Sequence, residues 1–244
     1  MSKTLLMIHG IGCGGDAWDR MRPGFEAAGW ACEAPTLFPD QRTLDNPPVT
    51  LSDLGFDDYV AAMAEAARKI ARETGAKPAV IGHSMGGLIA QCLAERGLVS
   101  QAVFLTPAQP KDCSEVSLSV AYTFLNILLT RDRKRAYKVW RSGFRFGVLN
   151  RVPRRRHDDI YARARFDSGK VYGDLTARRW RGLYARWARN MPARLCRATF
   201  SNIPTMHTGL STSRARMPSW PISWNGWTNR LETMRDRGRS PRGS

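Results

Sequence analysis

The stretch "PAVIGHSMGGLIAQCLAERG" constrains this chain more than any other. An apolar run, 78–84, reads as a buried strand, and the segment 85–97, closed by Gly97, reads as a helix. Between them lies G-x-S-x-G, with Gly82 and Gly86 on either side of Ser84. Two positions without a Cβ leave room for a sharp strand-to-helix turn, which lifts the Ser84 hydroxyl above the sheet edge. The helix N-terminus beyond it favours negative charge developing there. The chain thus needs a strand on one side of Ser84 and a helix on the other, and the serine is placed as a nucleophile.

The neighbouring segments supply a sheet for that strand. "TLLMIH" (4–9) is a second apolar run and ends in the tight loop "HGIG". "DAWDRMRPGFEAAGW" has helical spacing that Pro23 limits, and "ACEAPTL" (31–37) reads as a strand. Residues 38–56, rich in proline, aspartate and glycine, read as a loop. The clearest helix is 57–75, with Asp57 and Asp58 at its start and Gly75 at its end. "QAVFLTPA" (101–108) is a further strand. Strands and helices alternating at this spacing predict a parallel sheet covered by helices on both faces. The rhythm changes after Cys113: "SLSVAYTFLNILLTRDRKRAYKVW" is amphipathic and helical, "DDIYARARF" is a shorter helical piece, and no strand-like run separates them. The division that follows is a core over 1–113, a helical lid over 114–176 and a tail over 177–244.

At 244 residues the chain has room for one domain with an inserted lid. "MSKTLLMIHG" has one lysine and too short an apolar run for a signal peptide, and no run approaches the length of a membrane span, so a cytoplasmic location is expected. Cys13, Cys32, Cys92, Cys113 and Cys196 are odd in number and lack metal spacing. They read as free thiols, with Cys13 a small residue in a glycine-rich loop, and neither a metal nor an organic cofactor is implied. A net charge of +17 suggests nucleic acid, but its distribution argues otherwise. Residues 1–176 carry 24 basic and 19 acidic residues, a surplus of 5, while 177–244 carry 14 arginines, no lysine and two acids, Glu232 and Asp236, a surplus of 12.

With "LLMIHGIGCGGDAW" and "VIGHSMGGLIAQ" about 70 residues apart, the chain resembles the α/β-hydrolase superfamily. The likeness in strand order and lid position spans residues 4–176. It implies a serine nucleophile, an acid and a histidine base in that chain order, acting without a cofactor. Family substrates are mostly esters, with amides, lactones, epoxides and haloalkanes also represented. Epoxides and haloalkanes normally use a carboxylate nucleophile, so Ser84 points to acyl transfer on a small-molecule ester. The backbone N–H groups of Ile11 and Met85 are assigned to the oxyanion hole, with His9 and Gly10 ordering the first loop. His83, inside the turn, is expected to point away from Ser84. The apolar lid suggests a hydrophobic acyl group. The run "RVPRRRHDD" (151–159) reads as a solvated lid surface, with binding of phosphate or an acidic lipid head group as its alternative.

The base is the difficulty. Only His157 and His207 follow Ser84, and His157 lies in the lid. His207 has the right chain order, yet no strand precedes it and no helical pattern follows, so it stands as a substitute. The tail contains five of the eight tryptophans and no valine, a composition that GC-rich DNA produces when read out of frame. Codons test this. Joining each codon's last base to the next two forces alanine from Met206–His207, glutamate from Trp224–Asn225 and aspartate from Trp227–Thr228. One permitted reading of "SNIPTMHTGLSTSRARMPSWPISWNGWTNR" is EYPDNAHWIVDEPGTDAVVADILEWLDE. That string has a histidine loop followed by an amphipathic acidic helix. The expectation is that the C-terminal strands are missing or disordered, and that the family's base and acid are not encoded in the frame as written. Two other functions compete: a non-catalytic truncated hydrolase, and a binder that uses interleaved arginine and tryptophan on nucleic acid or anionic membrane. No nucleic-acid partner is expected, because the frame accounts for the same composition.

Overall fold

The structure is a computed structural model that describes residues 3–108, 118–130 and 132–175. The chain divides into two compact units, 1–200 and 201–244, and all described residues belong to the first. His207, Cys113, Cys196 and the tail over 177–244, with its expected lack of strands, lie outside the described residues.

The central sheet has four strands, all parallel: β1 (Lys3–Ile8), β2 (Trp30–Glu33), β3 (Ala79–His83) and β4 (Gln101–Leu105), in the spatial order β2-β1-β3-β4. Leu5 and Leu6 on β1 face Cys32 and Glu33 of β2 on one side and Ala79 and Val80 of β3 on the other. Thr4 through Ile8 are all buried, which is why this strand reads as an unbroken apolar run. Three helices pack on the sheet: α1 (Arg22–Ala27), α2 (Phe56–Thr74) and α3 (Met85–Glu95). Pro23 sits in the first turn of α1, where a missing N–H costs nothing, so the segment 16–30 becomes a single 3₁₀ turn followed by a short helix.

The boundaries of α2 follow from three residues. Asp58 accepts the Gly55 N–H at 2.7 Å, Asp57 and Asp58 lie in the first turn, and Gly75 ends the helix at φ 71°, a left-handed conformation that favours glycine. Its buried side chains, Phe56, Tyr59, Val60, Met63, Ala64, Ala67 and Ile70, recur at intervals of three and four and form one stripe. Leu88, Ile89 and Leu93 of α3 meet that stripe, with Leu6, Ile8 and Val80 from the sheet in the same core.

Beyond β4 come two short helices, α4 (Leu118–Thr123) and α5 (Leu125–Thr130), where the sequence reads as one long one. At the end of α5, Thr130 Oγ1 donates to the Asn126 and Ile127 carbonyls, and beyond it Asp132 accepts the Lys134 N–H in a turn of its own. A two-residue strand, β5 (Ala136–Tyr137), follows, then α6 (Arg141–Gly147), α7 (His157–Ala162), β6 (Asp167–Ser168) and α8 (Gly169–Leu175). β5 and β6 pair antiparallel, so this region is not wholly helical. A second cluster of Ile127, Tyr137, Val139, Phe144, Leu149 and Ala164 holds these elements together. Val171 of α8 is buried in the core of the main sheet.

Candidate active site at the switch point of the sheet

In the order β2-β1-β3-β4 the chain reverses direction across the sheet between β1 and β3. Loops leaving the carboxyl ends of those two strands diverge to opposite faces and leave a crevice, the usual ligand position in open parallel sheets. The register pairs Ile8 with Gly82, so the loops from His9 and from Ser84 start side by side. A Cβ built on Gly10 would stand 3.2 Å from Ser84 Cβ and 3.1 Å from His83 Nδ1. The two glycine-rich motifs of the sequence therefore meet because the strand order brings them together.

Ser84 occupies φ 53°, ψ −118°, between the last residue of β3 and the first of α3. A non-glycine residue at positive φ is strained, and the surroundings hold it there. The Ser84 N–H donates to the Leu105 carbonyl at 3.0 Å, and the Ser84 carbonyl accepts from Gly87, Leu88 and Ala108 N–H groups. The flanking glycines are required by close approach: a Cβ on Gly82 would collide with the Gly86 carbonyl, and one on Gly86 with the Ile8 carbonyl. Met85, fully buried, is the first residue of α3.

The first loop is built as tightly. Cys13 N–H donates to the Gly10 carbonyl at 3.3 Å, with Gly12 at φ 71°, the conformation that calls for glycine in such a turn. His9 is 1% exposed. Its Nε2 lies 3.1 Å from the Leu37 N–H and 3.3 Å from an Arg42 Nη, both of which can only donate. Nε2 is therefore the acceptor, and Nδ1, 2.8 Å from the Gly10 carbonyl, carries the proton. Burial, reinforced by the charge of Arg42, lowers the His9 pKa to about 3. The ring is neutral at pH 7, with Nδ1 engaged by the Gly10 carbonyl and Nε2 by Leu37 and Arg42 from the segment after β2.

Arg42 and Asp167, both 0% exposed, form an ion pair at 2.6 Å. Burial alone disfavours the Arg42 charge, but the Asp167 carboxylate overrides it and holds the guanidinium above its ordinary range. Arg42 also donates to the Cys13 carbonyl at 2.8 Å and the Leu37 carbonyl at 3.2 Å. Asp167 accepts from the Gly12 N–H and, at 2.8 Å, from the Tyr59 hydroxyl. Tyr59, raised well above its ordinary pKa by burial and then by the Asp167 charge, stays a donor. None of Arg42, Tyr59 and Asp167 stands out in the sequence. Arg42 lies in a featureless loop, and Asp167 is 125 residues away from it, so no local pattern links them.

The other candidates occupy distinct places. His83 is exposed at the end of β3. His157, at the start of α7, is buried with Nε2 2.7 Å from the Val152 carbonyl. Arg154 and Arg155 are exposed, and Asp158 pairs with Arg141 and Arg145. Burial pushes the Cys13 thiol up to about 11, far from a reactive thiolate, and Cys32 and Cys92 are also free. Among the described residues no helix is long and apolar enough to cross a membrane, and no group of three histidine, cysteine or acidic side chains is disposed to hold a metal ion.

A parallel sheet with a strained serine at its switch point, facing a glycine-rich loop, is the architecture of the α/β hydrolases. The chain belongs to the alpha/beta hydrolase family, whose model matches residues 5–235. Among solved structures it is similar to a pyrethroid hydrolase from Sphingobium faniae (20% identity, 72% of this chain and 73% of that one, TM-score 0.50). It is likewise similar to a methylesterase from Arabidopsis (17% identity, 71% and 70%, TM-score 0.51) and to polyneuridine aldehyde esterase (19% identity, 72% of each, TM-score 0.50). At these identities the likeness is one of fold. No curated protein matches the chain in sequence.

Proposed function

We propose that the chain is a serine hydrolase of the acyl-transfer type, built for a carboxylic ester with a small or medium hydrophobic acyl group. Ser84 is the nucleophile, and the N–H groups of Ile11 and Met85 form the oxyanion hole. The observation that carries this reading is the positive φ of Ser84, 53°, at a strand-to-helix turn over the switch point. Backbone strain of this kind clusters at active sites, and here it falls on a residue with a nucleophilic side chain. The esterase neighbours support the ester as substrate class.

A second reading rests on the histidines. His9 has both nitrogens engaged and His157 bonds a carbonyl in the second cluster, so neither supports a role as the base. With the base expected after Ser84 in chain order, His207 is the histidine that remains, and it lies outside the described residues. We propose further that the frame as written lacks the triad's base and acid and that turnover is slow, which makes this chain a truncated hydrolase. The location consistent with this reading is the cytoplasm.

One experiment separates these readings. Hydrolysis of p-nitrophenyl butyrate is measured for the chain as written and for a chain whose frame is moved before Ser201 with the missing segment restored, each with Ser84→Ala as control. Ser84-dependent turnover gained only after restoration supports both proposals. Robust turnover by the chain as written, lost in His207→Ala, would show that the tail supplies a working base. A restored chain whose turnover is unaffected by Ser84→Ala would remove Ser84 as the nucleophile.

A further inference from the structure

We propose that Arg42 and Asp167 are positioning residues for the oxyanion loop, acting through the tautomer of His9. This rests on the reading of Ile11 N–H as an oxyanion donor. The peptide between Gly10 and Ile11 is planar and trans, so the Ile11 N–H points opposite to the Gly10 carbonyl. That carbonyl is held by two donors on one side, Cys13 N–H at 3.3 Å and His9 Nδ1–H at 2.8 Å. Whatever keeps the proton on Nδ1 therefore fixes the direction of the Ile11 N–H.

A free neutral imidazole places its proton on either nitrogen. Here Nε2 faces two obligatory donors, the Leu37 N–H and the Arg42 guanidinium, so the proton is confined to Nδ1. Arg42 keeps its place because Asp167 grips it twice, Nε to Oδ1 at 2.6 Å and Nη2 to Oδ2 at 2.8 Å. The same carboxylate accepts the Gly12 N–H, and Arg42 holds the Cys13 carbonyl, so the pair also pins the far side of the turn. Arg42 belongs to the loop between β2 and α2, and Asp167 to β6. Two segments remote in sequence thus converge on a loop whose purpose is to aim one N–H group. An ion pair serving stability alone has no need to contact a histidine ring or the two ends of a glycine turn.

The test uses the full chain, in both the written and the frame-restored forms, labelled with ¹⁵N at histidine. Ring ¹⁵N shifts distinguish Nδ1–H from Nε2–H directly. The wild type is expected to show a single Nδ1–H form for His9. The double variant Arg42→Met/Asp167→Asn removes both charges together, so that neither is left buried alone, and is expected to give a tautomer mixture. Ser84-dependent kcat on p-nitrophenyl butyrate is expected to fall by about 10- to 100-fold, with KM changed by no more than about twofold, because a misdirected oxyanion donor weakens the transition state and not substrate binding. Lys69→Met/Glu73→Gln is the control: it removes an exposed ion pair on α2 that does not touch His9, Arg42 or Asp167, and should retain both the tautomer and the rate. A folded double variant that keeps pure Nδ1–H and wild-type Ser84-dependent kcat overturns the proposal. So does a control variant that loses as much as the double variant. If neither form of the wild type shows Ser84-dependent turnover, the hydrolase reading fails separately, and the ring shifts still decide whether Arg42 and Asp167 set the tautomer.

Discussion

A single buried carboxylate, Asp167, accepts hydrogen bonds from Arg42, Tyr59 and the Gly12 backbone, and its removal leaves Arg42 charged with no counterion. Breaking one partner of a fully buried pair typically costs about 3–5 kcal/mol, whereas replacing both with apolar side chains is near neutral. Asp167→Ala is therefore expected to lower unfolding free energy by about 3–5 kcal/mol in urea, and Arg42→Met/Asp167→Leu by less than half as much. A double variant as unstable as the single would contradict the buried-pair account. His9 gives a second prediction at this scale. Its pKa is lowered from 6.5 to about 3 in the folded chain, first by burial and then by Arg42. Between those values the unfolded chain binds a proton that the folded chain does not. The stability contribution is present in full above about pH 6.5 and is lost as pH falls toward about 3, at about 1.4 kcal/mol per pH unit. Urea midpoints measured from pH 7 to pH 4 should fall along this slope, and His9→Gln should flatten it.

The strand-helix unit β3-turn-α3 carries the site, and its tolerance is set by backbone contact. Gly82→Ala and Gly86→Ala each push a methyl into a carbonyl that belongs to the sheet or the turn, so neither neighbour can move aside cheaply. In the frame-restored chain either variant should lose Ser84 labelling by a fluorophosphonate probe, while Gly97→Ala, at the distant end of the helix with open space around it and φ 65°, should keep the labelling and lose about 1 kcal/mol of stability. Labelling of Gly86→Ala at the wild-type rate would contradict the turn geometry. On α2, Ile70 is 1% exposed within the main core, and Ile70→Ala should cost about 2–5 kcal/mol by urea denaturation. Both elements were legible in the sequence: the stripe of α2 repeats every three or four residues, and Gly75 and Gly97 mark the ends. The segment after β4 was legible only in part, because the pairing of β5 with β6 and the contact of the Tyr137 hydroxyl with Thr130 at 2.9 Å have no local sequence signature.

On the scale of the whole molecule, residues 165–175 are tied to the loops and the helix that pack on the sheet by bonds that cross more than a hundred positions. Arg165 N–H donates to the Gly12 carbonyl, Phe166 N–H to the Thr43 carbonyl, Lys170 Nζ to the Asp53 carbonyl, and Phe56 N–H to Asp174. With Asp167 and Val171 also buried against that core, the sheet and this segment should unfold together. The far-UV circular dichroism transition in urea and the loss of the His9 ring signal by NMR should coincide. Separate midpoints would mean that the segment folds independently of the sheet.

The local patterns settled the parallel sheet, the order of its elements and the turn that presents Ser84, because each depends on residues within a few positions of one another: apolar runs, helical periodicity and glycines that a Cβ would replace with a clash. The pairing of β1 with β3, which brings the His9 loop beside Ser84, came from the strand order of the sheet and not from any local pattern. Only the tertiary structure decided which His9 nitrogen carries the proton, that Arg42 and Asp167 hold the ring, and that burial raises the Cys13 thiol. Those facts are properties of a dry interior assembled from distant segments. A charge's partner, a ring's tautomer and a thiol's proton depend on what surrounds the group once water has been excluded, and nothing in the neighbouring sequence carries that information.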